Sequence, residues 1–151
     1  MIPPFAEYFQ AIARAALLYH KKAFCEVGLK GNYGDYIRTI CRNPGISQEE
    51  LAMHVGVDKS NVTRTLVQLV RDGYVERRDS TSDHRRVLVY PTDLAYEQLP
   101  AIVEIQSDWR AILTEGLSAE EKEQLADLLA RVADNVHRHA LGEPSEEYND
   151  Y

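Results

Sequence analysis

The chain has 151 residues, room for one compact domain, and its 44% hydrophobic and 27% charged composition is that of a globular protein with a core to bury. No apolar run approaches the ~18 residues needed to cross a bilayer, and the N-terminus lacks a basic-then-apolar leader, so a cytoplasmic protein with no membrane partner is expected. The formal charge of −7 weighs against nucleic acid until it is partitioned: residues 59–86 carry seven basic and four acidic side chains, a net +3 that leaves −10 on the rest. A positive module on an acidic body favours docking through one face. Two cysteines without CxxC spacing, Cys25 and Cys41, are too few for a disulfide framework and are expected to stay reduced.

After Pro3 and Pro4, the apolar residues Phe5, Tyr8, Phe9, Ile12, Ala16, Tyr19 and Ala23 recur at helical spacing and predict a long first helix ending near Gly28. Beyond a glycine-rich break, Tyr33, Tyr36, Ile37, Ile40 and Cys41 predict a short second helix, stopped by Asn43-Pro44-Gly45. Ser47 and Glu50 have capping-box spacing and open a third helix with Leu51, Ala52 and Val55 inward. Val55-Gly56-Val57 reads as a tight turn, Asp58 as the cap of the next helix, and Val62, Leu66, Leu69 and Val70 as its inner face, closed by Gly73. Two short helices across a glycine turn make a helix-turn-helix.

Tyr74 to Arg78 and Arg85 to Tyr90 read as strands around a polar loop, a hairpin or wing that Pro91 ends. Thr92 is placed to cap a long helix carrying Leu94, Leu99, Ile102, Val103, Ile105, Trp109, Ile112 and Leu113, with a kink at Pro100. After Gly116 a second capping box, Ser118 with Glu121, opens a last helix through Leu125, Leu128, Leu129, Val132 and Val136. The acidic segment 142–151 is expected to be disordered.

This order predicts a mainly α fold with a small β-hairpin: a winged helix-turn-helix at 30–92, an N-terminal dimerisation helix at 1–29, and C-terminal linker and dimerisation helices at 93–141. The terminal helices carry apolar stripes but no domain of their own, so a second copy is the expected cover. A twofold homodimer would set two recognition helices about 34 Å apart on double-stranded DNA and read a pseudo-palindrome. On the fourth helix Lys59, Ser60, Asn61, Thr63, Arg64, Gln68 and Arg71 lie off the apolar face; Arg64 has the fork that matches guanine and Asn61 the amide that matches adenine. Ser47 is a further candidate DNA contact. Arg77, Arg78, Arg85 and Arg86 flank the wing loop, where an arginine can enter a narrow minor groove. A solvated helix face and a charged strand edge are the alternatives.

The run Asp83-His84-Arg85-Arg86-Val87-Leu88-Val89-Tyr90-Pro91-Thr92 resembles the wing signature of the MarR family, D-x-R-x-x-x-V-x-L-T, with Asp83, Arg85, Val89 and Thr92 in place and Pro91 where leucine is usual. Asn43 to Ser47 with Glu50-Leu51-Ala52, and Asp58-Lys59-Ser60 with Val62-Thr63-Arg64 and Gly73-Tyr74-Val75, are similar to the family's helix-turn-helix. The resemblance implies a transcriptional regulator, more commonly a repressor, with Arg85 in the minor groove, Asp83 orienting it through a salt bridge, and the fourth helix in the major groove. It also implies dimerisation through the terminal helices. Release from DNA would follow from a small phenolic or other aromatic effector, or from cysteine oxidation.

Arg14, Tyr19, Tyr36, Tyr96 and Trp109 are candidates to line an effector cavity, although aromatic residues at helical spacing equally suit a core. Cys25, near Lys21 and Lys22, fits either a redox sensor or an ordinary thiol. His137 and His139 face different sides of a helix and would need His20 or His54 across an interface to bind zinc; solvent-facing histidine is the other reading. No cofactor is expected. The sequence holds no phosphate loop, HExxH or GxSxG, so an enzyme is not expected, and the competing class is a winged helix that binds only protein.

Overall fold

The computed structural model describes residues 3–83 and 85–141; His84 of the wing motif and the acidic segment 142–151, with its expected disorder, lie outside them. In chain order the elements are α1 (Phe5–Glu26), α2 (Tyr33–Arg42), β1 (Ile46–Ser47), α3 (Gln48–Val55), α4 (Lys59–Arg71), β2 (Val75–Asp79), β3 (Val87–Pro91), α5 (Asp93–Leu113) and α6 (Ala119–Val136), followed by a π-helical turn, His137–Leu141. This is the mainly helical, winged architecture that the patterning predicts. The chain falls into two compact units, Met1–Arg110 and Ala111–Tyr151. Among the described residues no helix is long and apolar enough to cross a membrane.

In the first unit one core joins Phe24 of α1, Leu29, the inner faces of α2, α3 and α4, Val75 and Val89 of the hairpin, and Ala95, Ile102 and Ile105 of α5. Burial of these side chains is the main term holding the helix-turn-helix in place. Gly34 lets α2 approach α1 closely, since a Cβ there would overlap the Phe24 ring. Gly56 closes α3 at φ 71°, a left-handed conformation that glycine adopts without strain, and this turn sends the chain from α3 into α4.

The sheet is larger than a hairpin. Its order is β1-β3-β2, with Ile46 opposite Val89 and Ser47 opposite Leu88, so the residues entering α3 also cover one edge of the wing. A two-residue strand leaves no alternation to read, which is why sequence patterning misses it. Pro91 is the last residue of β3, opposite Val75, so the hairpin ends on it, one residue later than expected. Thr92 stands at the head of α5, where its carbonyl accepts the Tyr96 amide, but its hydroxyl is turned back onto the carbonyls of Gly73 and Tyr74, at 2.7 and 3.0 Å. It fastens the hairpin's two ends together instead. α5 continues through Pro100.

α4 is rotated slightly from the expected face. Thr65 is buried at 6% exposure, whereas Val70 is 39% exposed, because the inner stripe runs Val62, Thr65, Leu66, Leu69. Thr65 is tolerated there because it accepts a hydrogen bond from Asn32 Nδ2 at 3.3 Å and meets Tyr36. Two large apolar surfaces stay open. In α1 these are Phe5, Tyr8, Phe9, Ile12, Leu17 and Leu18. In the second unit α6, capped by the Ser118–Glu121 box, buries no residue fully and exposes Leu128, Leu129, Val132 and Val136.

Candidate nucleic-acid interface

The helix-turn-helix is anchored at both ends of α4. At the N-terminus Asp58 caps it, its carboxylate accepting from the Asn61 amide N–H at 3.0 Å and from Asn61 Nδ2 at 2.6 Å. Those bonds hold Asp58 below its usual carboxylate range. At the C-terminus Asp72 accepts from Lys30 Nζ at 2.6 Å and from the Tyr33 hydroxyl at 2.7 Å. First the Lys30 bond and then the Tyr33 bond hold the Asp72 carboxyl down at about 2. The Asp58 cap closes the start of α4 on itself, and the Asp72 bonds fix its far end against α2 and the turn before it.

Between those two ends α4 turns Ser60, Asn61, Thr63, Arg64 and Gln68 outward, all exposed. Their environments differ. Lys59 reaches back to Glu49 at 3.1 Å. Asn61 is engaged by the cap. Thr63 donates to the Lys59 carbonyl at 2.9 Å and accepts from Gln48. Among the described residues the side chains of Ser60, Arg64 and Gln68 have no protein partner, so their donors and acceptors face solvent. The structure thus narrows a sequence-level list of equals to three open positions.

The same sorting applies at the wing. Arg77 donates to Gln48 Oε1 at 2.9 Å. Arg78 lies 4.3 Å over the Tyr90 ring and pairs with Glu76 at 3.1 Å. Arg86 turns inward to Ser47 Oγ at 3.3 Å and Glu50 at 3.8 Å. Arg85 alone of the four has a guanidinium with no partner among the described residues. The implied Asp83–Arg85 salt bridge is absent from them: Asp83 Oδ1 accepts the Arg85 backbone N–H at 3.0 Å. A carboxylate two residues back reaches a backbone amide more readily than a side-chain tip, so Asp83 shapes the loop rather than the guanidinium.

Ser47 is corrected more sharply. It is fully buried, its hydroxyl donates to Glu50 Oε2 and accepts from the Glu50 amide, and its own amide donates to the same carboxylate. The capping box uses the groups that a phosphate contact would need. Two residues that sequence reasoning passed over organise this region. Ser80 is buried at the start of the wing loop and bonds Ser82 Oγ and the Asp83 amide. Gln48 bridges Arg77 and Thr63; a glutamine at the first position of a helix carries no pattern that would have marked it.

The candidate effector residues do not converge. Tyr19 and Trp109 meet at 5.2 Å between ring centroids, and His20 and Phe24 join them between α1 and α5. The His20 Nε2 within this cluster is buried, with no hydrogen-bond partner among the described residues. Tyr36 instead is a core residue, Tyr96 lines an open groove of about 630 Å³ on α5 with Leu99, Pro100 and Val103, and Arg14 is exposed on α1. Cys25 is exposed, whereas Cys41 is buried and its thiol is pushed up to about 11 by that burial. Among the described residues no three His, Cys, Asp or Glu side chains gather in a way that could hold a metal.

An outward polar helix in a helix-turn-helix, beside an arginine-bearing hairpin, defines a winged helix-turn-helix protein. Residues 27–86 match the sequence model of the MarR family. The transcriptional regulator SlyA is 30% identical, with a TM-score of 0.82 over 89% of this chain and 95% of that one. The HTH-type transcriptional regulator YybA of Bacillus subtilis (strain 168) is 28% identical over 127 residues, 84% of this chain and 85% of that protein. A MarR-family regulator from Listeria monocytogenes, complexed with a 26mer DNA, has the same fold, at 23% identity and a TM-score of 0.85 over 98% of this chain and all of that one. This chain belongs to the MarR family of transcriptional regulators.

Proposed function

We propose that the protein is a homodimeric repressor that binds a pseudo-palindromic operator, with residues 30–92 as the DNA-reading module and the segments 1–29 and 93–141 as its dimerisation frame. The observation that carries this reading is the pair of arginines without a partner among the described residues, Arg64 on the outward face of α4 and Arg85 on the wing, in a segment, 59–86, that is net positive within an acidic chain. Arginine guanidinium groups left open to solvent on a fixed scaffold are suited to base edges and phosphates. Ser60 and Gln68 complete the major-groove surface, and the wing carries Arg85 to the neighbouring minor groove. A protein of the same fold from Listeria monocytogenes complexed with a 26mer DNA supports DNA as the partner.

The homodimer is supported by the open apolar faces of α1 and α6, which water would otherwise solvate at a cost. Release by a small aromatic effector belongs to the same proposal. The Tyr19, His20 and Trp109 cluster supports it, because the buried His20 Nε2 offers a polar group to a ligand that also stacks. Gel shifts on the DNA upstream of its own gene, at several salt concentrations, test the core of the reading. Wild-type protein is expected to shift that DNA with sequence preference and strong salt dependence, and Arg64→Ala to weaken it. Absence of any salt-sensitive, sequence-preferring shift overturns the regulator mechanism in favour of a winged helix that binds protein. Light scattering checks the dimer, and Trp109, the only tryptophan, gives a fluorescence readout for effector binding.

A further inference from the structure

Three elements that must keep a set geometry to engage one duplex meet at a single side chain. Gln48, the first residue of α3, receives Arg77 Nη2 on its Oε1 at 2.9 Å and donates from its Nε2 to Thr63 Oγ1 at 2.5 Å. Arg77 lies in the middle of β2, opposite Val89, and Thr63 lies in the second turn of α4. A primary amide is suited to this position because it offers an acceptor to a cation and a donor to a hydroxyl at once; a carboxylate lacks the donor and an ammonium lacks the acceptor. The Thr63 hydroxyl passes the chain on, donating to the Lys59 carbonyl at 2.9 Å, so its one donor and one of its two acceptor positions are used inside the protein.

We propose that Gln48 is a positioning residue that sets the spacing between wing and recognition helix, and that Thr63 serves this bridge instead of reading a base. The proposal rests on the DNA-binding reading above. Its neighbourhood explains why the bridge matters. The Asp72 bonds run to Lys30 and Tyr33, and the inward arginine Arg86 grips the α3 cap, but the Arg77–Gln48–Thr63 chain joins β2 directly to the outward face of α4. All three of its residues are at the surface, where the chain adds little to folding and its effect falls on the relative placement of two DNA-contacting elements.

The test is a double-mutant cycle on a duplex selected by the wild-type protein from a randomised pool, with thermal unfolding measured alongside. Gln48→Ala and Thr63→Val are each expected to lose about tenfold in affinity, as breaking a short polar chain would, and the double variant to lose no more than either alone. Thr63→Ser, which keeps the hydroxyl, recovers the affinity. The unfolding midpoints stay near wild type, the salt slope is unchanged, and the loss is uniform across base substitutions in the site. Additive losses, or relaxed preference confined to one base position, overturn the bridge and make Thr63 a direct reader. Equal losses in unfolding midpoint and affinity overturn it in favour of a purely structural role. Failure of the wild-type protein to select any duplex overturns the DNA reading itself, and the bridge with it.

Discussion

Arg85 and Arg86 are adjacent, carry the same charge and are both exposed at the wing, yet Arg86 is engaged by Ser47 and Glu50 while the Arg85 guanidinium has no partner among the described residues, which makes the pair a sensitive comparison. Arg86→Ala removes a 3.3 Å hydrogen bond to the buried Ser47 and a 3.8 Å ion pair with Glu50 in which both side chains are half-exposed. A bond and a solvent-screened pair of that kind are worth together about 0.5–1 kcal/mol, a drop in Tm of a few degrees. Arg85→Ala removes no intramolecular side-chain contact among the described residues and is expected to leave Tm unchanged. On DNA the order reverses. Losing one phosphate neutralisation per protomer flattens the slope of log K against log salt by ~0.9, or ~1.8 for a dimer. Across a fourfold rise in salt this is about a tenfold difference in the affinity lost. Fluorescence anisotropy over a salt series, with calorimetry on the same samples, measures both quantities. A flattened slope for Arg86→Ala with an unchanged slope for Arg85→Ala would refute the assignment of the free guanidinium.

Gly34→Ala should destabilise the fold by about 1–3 kcal/mol, seen as a lowered urea midpoint, because its Cβ would overlap the Phe24 ring that holds α2 to α1. Asp72 gives a pH dependence with a definite sign. Its folded value of about 2 lies below the ~3.9 of an unfolded aspartate, so its contribution is complete above about pH 4 and is lost as pH falls toward 2. Wild type should therefore outlast Asp72→Asn in urea at pH 6 and converge with it near pH 2; a gap that ignores pH contradicts the ion-pair account. In the native protein an aromatic disulfide reagent at pH 8 should modify Cys25 quickly and Cys41 only on unfolding, since Cys41 is buried and its thiol is held up at about 11. Equal native rates would show that Cys41 is not the packing residue it is taken for.

Much of the fold was readable because its signals are local. The capping boxes Ser47–Glu50 and Ser118–Glu121, the Asp58 cap and the left-handed Gly56 each depend on residues within a turn of one another, and all form as their spacing predicts. Where a partner distant in sequence competes, the reading fails. The Thr92 hydroxyl turns back onto the carbonyls of Gly73 and Tyr74, and Thr65 displaces Val70 from the inner face because Asn32 and Tyr36 meet its hydroxyl. β1 exists only because β3 is there to pair with it.

The candidate site divides along the same line. Residue type and helical phase determined which side chains could face DNA: the outward set on α4 and the arginines of the wing are there in the linear pattern. Which of them are free to act was decided by tertiary structure. Hydrogen-bonding capacity is limited, and what the fold uses is withdrawn from a ligand: Ser47 by Glu50, Arg86 by Ser47, Arg77 and Thr63 by Gln48, Arg78 by Tyr90 and Glu76. Arg64 and Arg85 stay open because no side chain among the described residues competes for them.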